Sequence, residues 1–340
     1  RSYNKHMLNS YWEYAGTRYK NKFRAIDAAN GDYKRITFHA YEEPSFTNYS
    51  WTVEPKTPLR QLMKDRALQL RDKHRYIKLW FSGGNDSTTM LNIFLENNIH
   101  IDEICVYRMS SNNDFKGNGG EYEINTYTLP YLKKIQHTIP KTKIKIIEIG
   151  QEYFDDVLGE KWLFTRNSFD LRETYIPNIK GKNFCNLFAN LDPFVLCRHG
   201  KWYWELWDTD NIKDITSYRN IEHFYTSSDM PELHAKQCHI IKNFLVYNKL
   251  FNANFGLVKE ILRNIVRDTP IAPEPSWLAK EDFNRTNMFF VKKSHLQYKQ
   301  STPEQKDKIK YLFTNAKVNG VILPNVMNNY MAKSVYLGDS

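Results

Sequence analysis

The sequence predicts an α/β fold built on a parallel sheet, and three observations predict it. Short runs rich in β-branched and aromatic residues, Ile77 to Phe81, Ile101 to Tyr107 and Lys143 to Ile149, read as strands. Segments of helical period stand between them, and strands alternating with helices are the pattern of a sheet whose neighbours run parallel. Gly83 and Gly84 separate the first run from a helix whose apolar face is Met90, Leu91, Phe94 and Leu95, with Asn98 as its left-handed stop.

In chain order, residues 1–56 read as an N-terminal extension, rich in aromatics, with strand-like alternation from Arg35 to Ala40. Residues 57–158 form the core unit. It opens at Thr57-Pro58, with Thr57 as N-cap and Pro58 at the first helical position, and a buried stripe of Leu59, Leu62, Met63, Ala67 and Leu70 opposite the charges. Ser111 to Gly120 is a polar loop, a lid over a substrate or a surface connection. Helical sequence follows to Gln136, interrupted at Pro130, and Gln151 to Leu158 is a further short helix. Residues 159–268 complete the core and supply a substrate region. Within them Pro193 to Trp207 reads as a hairpin turning at His199-Gly200, whose Trp202 and Trp204 suit a core more than a stacking platform. Asp229-Met230-Pro231-Glu232 opens a helix on which His234 and Cys238 stand one turn apart. No further ligand lies at metal spacing, so packing is favoured, with Glu232 and His234 left as acid–base candidates. The Pro270 to Pro275 stretch is a connector, Ser301-Thr302-Pro303-Glu304 starts a helix, and residues 269–340 form a C-terminal appendage.

The chemistry concentrates in Ser82-Gly83-Gly84-Asn85-Asp86-Ser87-Thr88. The turn falls where a strand ends and a helix begins. There the first-turn N–H groups lack partners and the helix dipole is positive, which favours an anion such as phosphate. Ser82, Ser87 and Thr88 add hydroxyl donors. Asp86 would repel phosphates unless a cation stood between them, so it reads as a Mg²⁺ ligand. The plainer alternative is a capped turn that binds nothing, with Asp86 or Ser87 as N-cap. Tyr107 and Arg108, at the carboxyl end of the next strand, would border a nucleotide. Downstream, Arg172 and Lys182 are candidates to stabilise a pyrophosphate leaving group.

Ser82 to Ser87 resembles the Ser-Gly-Gly-x-Asp-Ser signature of the PP-loop ATP pyrophosphatases, the adenine-nucleotide α-hydrolase-like superfamily. The resemblance implies a doubly wound parallel sheet, ATP held by its β- and γ-phosphates on the loop, and attack of a substrate oxygen on the α-phosphate. A nucleophile, usually nitrogen or sulfur, would then displace AMP. No Gly-Lys-Ser/Thr follows the glycines, so γ-phosphoryl transfer is not expected. Sulfur transfer in this superfamily uses positioned cysteines, and Cys105, Cys185, Cys197 and Cys238 are scattered without a Cys-x-x-Cys pair. An acceptor substrate and a nitrogen nucleophile are the leading expectation. A PP-loop fold reused as a non-catalytic binding or structural protein is the rival.

Unpaired cysteines and a start that does not read as a secretory signal suggest a cytoplasmic protein. No apolar run is long enough to cross a bilayer. A net charge of +10 permits nucleic acid as a partner without requiring it. Abundant Asn, Lys, Tyr, Phe and Ile suit an AT-rich genome, viral ones among them.

Overall fold

The structure, a computed structural model, describes residues 10–19, 35–109, 124–149, 183–189, 193–207, 221–253 and 332–339, with isolated positions elsewhere. The loop at 111–120, the helix at 151–158, Arg172, Lys182, the connector at 270–275 and all but one position of the helix start at 301–304 lie outside the described residues.

Strands β1 (Ser10–Tyr14) and β2 (Thr17–Tyr19) form a hairpin, and β3 (Thr37–Ala40) pairs with the other edge of β1. Helix α1 (Leu59–Lys73) buries Leu62, Met63, Ala67 and Leu70 as the stripe predicts. Two details differ. Its N-cap is Pro58, while the Thr57 hydroxyl donates instead to Glu232 Oε1 at 3.3 Å. Arg66 is fully buried, because it stands one turn from Leu62 inside the same stripe, and Glu222 and Asp229 each hold its guanidinium at 3.0 Å.

Among the described residues, five strands build the main sheet: β4 (Tyr76–Trp80), β5 (Glu103–Met109), β6 (Lys143–Ile149), β7 (Phe184–Phe188) and, after the strands β8 and β9 described below, β10 (Ile221–His223). Their order is β10-β7-β4-β5-β6, and every neighbouring pair is parallel. The chain steps outward from β4 through β5 to β6, then returns to the far side of β4 for β7 and β10. The order therefore reverses between β4 and β7. Ile77 to Trp80 are buried on both faces of β4, which is why this run is continuous rather than alternating. On one face Ile77, Leu79, Ile104, Val106, Cys185 and Leu187 pack against α1, α2 (Asn85–Glu96) and Leu132 of α3 (Leu129–Ile135). A turn of π-helix at Ile124–Thr128 runs directly into α3, so the helical stretch changes character beside Pro130, which sits in the first turn of α3. The other face carries Trp80, Cys105 and Phe188 beside a buried pair, Lys78 Nζ to Glu103 Oε1 at 3.3 Å.

A second core forms where β1 and β3 meet an antiparallel sheet of β8 (Phe194–Arg198), β9 (Lys201–Trp207) and β11 (Ala332–Asp339), in the order β11-β9-β8. The expected hairpin turns at His199 and Gly200, whose φ values of 51° and 76° suit a tight turn. Trp202 and Trp204 are wholly buried. The last strand, Ala332 to Asp339, pairs along β9 from Trp207 to Lys201, and Leu337 is buried in the core. Helix α4 (Pro231–Tyr247) joins the two cores, with Leu233 in the first and Ala235, Cys238, Ile241 and Leu245 in the second. Among the described residues, no helix is long and apolar enough to cross a membrane.

Candidate functional site

The loop from Ser82 to Thr88 leaves the carboxyl end of β4, beside β7, at the point where the strand order reverses. In open α/β sheets that crevice is where ligands sit. Gly83 turns the chain with φ 85°, the left-handed region that glycine occupies without strain. Gly84, in extended conformation, is the N-cap of α2, so Asn85 and Asp86 occupy its first turn. By helix geometry the N–H groups of that turn have no acceptor within the helix. Asp86 is half-buried there, and the macrodipole favours its negative charge.

Ser87 is the loop's internal brace. Its hydroxyl oxygen accepts from Ser82 N–H at 3.3 Å and Gly83 N–H at 3.2 Å, and its proton goes to Gly84 O at 3.1 Å. The Ser82 hydroxyl lies 3.1 Å from Ser87 Oγ and accepts from Gly84 N–H at 3.3 Å. Thr88 is buried, with Oγ1 3.4 Å from Gly83 O. Thus Ser87 and Thr88, read from the sequence as donors to an anion, are turned onto the loop's own backbone. An anion would instead meet the first-turn N–H groups, and the exposed Ser82 hydroxyl would have to turn from Ser87 Oγ to reach it.

Two residues from distant parts of the chain hold this loop. Thr128, wholly buried at the end of the π-helical turn, donates its hydroxyl to Ser82 O at 2.7 Å. Its Oγ1 lies only 2.2 Å from where a Cβ on Gly83 would stand, so the two backbones approach as closely as they do because residue 83 has no side chain. Tyr225, also buried, donates its hydroxyl to Asp86 O at 2.7 Å. In a trans peptide the C=O and the following N–H point oppositely. Holding Ser82 O on Thr128 therefore fixes the direction of Gly83 N–H. Nothing local marks either residue in the sequence.

The other expected residues fall as follows. Tyr107 stacks on Trp80, centroids 4.5 Å apart and planes 18° from parallel, and Trp80 stacks in turn on Phe188 at 5.7 Å. This aromatic row crosses three strands at their carboxyl halves, and Trp80 is fixed by donating Nε1–H to Asn186 Oδ1 at 3.1 Å. Arg108, one residue on, points from the opposite face and pairs with Glu148 of the neighbouring strand. His234 and Cys238 are core residues: His234 Nδ1 lies 2.6 Å from Thr226 Oγ1, and its ring meets Trp204 edge-on at 4.3 Å. Burial pushes the His234 pKa down to about 3, so the ring is neutral at physiological pH.

No family model and no curated protein matches the chain. Whether ATP and Mg²⁺ fit is therefore a question for the residues themselves. Among the described residues no group of three or more His, Cys, Asp or Glu could hold a metal ion. A Mg²⁺ ion bound with phosphates needs only one or two carboxylates, however, and Asp86 beside the loop supplies one. The close backbone approach at Gly83, the helix start and this single carboxylate suit a magnesium–phosphate group.

Proposed function

We propose that the chain is a Mg²⁺-dependent enzyme of the ATP pyrophosphatase type, with a PP-loop fold. It transfers the adenylyl group of ATP to an acceptor oxygen and passes the activated acceptor to a nitrogen nucleophile, releasing pyrophosphate and AMP. The observation that carries this reading is the Ser82–Thr88 turn, glycine-dependent at Gly83 and set at the strand-order reversal of a parallel sheet. In it, the first turn of α2 and Ser82 bind the pyrophosphate portion of ATP. The ion, when bound, neutralises phosphate charge, and Asp86 is its protein ligand. The chain's own contribution is positioning: Thr128 and Tyr225 keep the turn rigid, so that the α-phosphate is presented without reorganisation. Tyr107, on the Trp80 stack, borders the base, and Arg172 and Lys182 remain proposed partners of the leaving group.

The test is thermal denaturation of wild type and Asp86→Ala, each with Mg²⁺ and ATP, AMP or GTP. A ligand at about a hundred times its Kd stabilises by about 2.7 kcal/mol, a midpoint shift of a few degrees. A Mg²⁺-dependent rise with ATP that Asp86→Ala lacks is expected. Equal shifts in both proteins, or no shift with any adenine nucleotide, would sink the proposal.

A further inference from the structure

We infer that the exposed edge formed by the end of α3 and strand β6 docks a nucleic-acid duplex through its phosphates. From Ile124 to Ile147 the chain carries Lys133, Lys134, Lys141, Lys143 and Lys145 and not one Asp or Glu. Those five charges equal half of the net +10. All five are exposed, as is His137 among them. Several cations of the two cores are matched: Arg66 and Lys73 with Glu222 and Asp229, Arg71 with Asp102, Lys78 with Glu103, Lys236 with Glu54. None of these five lysines forms an ion pair among the described residues. The first carboxylate after them, Glu148, is held by Arg108.

Among the described residues strand β6 is the edge of the main sheet, and this edge carries the charge on both of its sides. Lys143 and Lys145, ~6.7 Å apart along the strand, project from the face of Cys105 and Trp80, opposite α3. Lys133 and Lys134 stand in the last turn of α3 on the other side, and Lys141 lies in the turn between the two elements. Unmatched ammonium groups flanking an edge suit a polymer of regularly spaced phosphates, whose bound counterions they would release. Binding single strands relies on aromatic side chains that stack unpaired bases. Residues 132–147 contain no Phe, Tyr or Trp, which favours a duplex with its phosphates on the outside. A membrane surface would need an apolar face to insert, and Ile146, 40% exposed, is the one large apolar side chain conspicuously bare in this stretch.

The strand enters the sheet at Lys143, whereas the Ser82 loop lies at the strands' carboxyl ends. This surface is thus separate from the phosphate loop and independent of its chemistry.

The test measures binding of a short labelled DNA duplex by fluorescence anisotropy across a salt series. Four proteins are compared: wild type, Lys143→Glu/Lys145→Glu, Lys133→Glu/Lys134→Glu, and a charge-matched control, Lys56→Glu/Lys249→Glu, altered at exposed sites elsewhere. Each patch variant should bind at least about tenfold more weakly, with the salt slope lower by about 2, while the control binds as wild type does. All substitutions are exposed, and unchanged melting temperatures verify the fold. The inference is overturned if wild type does not bind the duplex, or if patch variants and control lose affinity equally. It is also overturned if the same sequence as a single strand, or vesicles of anionic lipid, bind more tightly than the duplex through these lysines.

Discussion

Gly83 admits no side chain. Its φ of 85° costs any other residue about 1–2 kcal/mol, and a Cβ would stand 2.2 Å from Thr128 Oγ1. Gly83→Ala is therefore expected to lower the urea unfolding free energy by more than that backbone cost alone. Thr128→Ala removes the hydroxyl that donates to Ser82 O, a loss of about 1 kcal/mol. Because the same hydroxyl is the atom in the way, the double variant should lose less than the sum of the two single losses. Strict additivity in a double-mutant cycle would show that the clash is relieved by movement elsewhere. The glycine itself was legible in the sequence, since a strand, two glycines and a helix are neighbours in the chain. Its partner was not: Thr128 and Tyr225 lie 46 and 139 residues from the atoms they hold, and an isolated threonine or tyrosine carries no periodic signal.

Helix α1 shows the same division between local pattern and distant contact at the scale of an element. Its apolar stripe was read correctly, but Arg66 sits within the stripe, and only the arrival of Glu222 and Asp229 from more than a hundred residues away makes its burial tolerable. Burial alone would raise the Glu222 carboxyl, yet His74, Arg66 and Lys73 together hold it far below the usual carboxylate range. Asp229 is likewise raised by burial and lowered further by Arg66, Ser227 and Lys73, for a net depression. A carboxylate with a depressed folded pKa stabilises the fold above its unfolded value, about 4, and loses that stabilisation as pH falls toward the folded value. Wild type should accordingly weaken as pH drops below about 4. Arg66→Met leaves Glu222 to Lys73 and His74 and Asp229 to Lys73 and Ser227, and is expected to cost less at neutral pH than the about 3–5 kcal/mol of a fully uncompensated buried charge. Acidification should then close part of the gap between variant and wild type, because protonation relieves the weakened pairing. Urea midpoints measured at neutral and acid pH test this, and a gap that stays constant would contradict the ion-pair account.

Across the whole molecule, the parallel core was readable because each of its first three strands lies beside its own helix, whereas the second core was not. It draws on residues near both ends of the chain, and β11 meets β9 through a register that no local pattern encodes. Lys333 Nζ donates to Ala40 O at 2.8 Å and Lys242 Nζ to Leu337 O at 2.9 Å, so this strand ties β3 and α4 together. Helix α4 in turn reaches the phosphate loop: Gln237 donates to Tyr225 O at 3.1 Å, and the Tyr225 hydroxyl holds Asp86 O. A chain ending before Ala332 loses the burial of Leu337, about 1.5–3 kcal/mol, together with a full edge of ladder hydrogen bonds. If α4 couples the cores as its packing indicates, the truncated protein melts in one transition at a lower temperature rather than shedding the second core first. The far-ultraviolet signal and tryptophan emission, to which Trp12, Trp51, Trp202 and Trp204 of the second core contribute, should then fall together. Emission lost well before ellipticity would mean that the two cores unfold separately and that α4 passes no stability from one to the other.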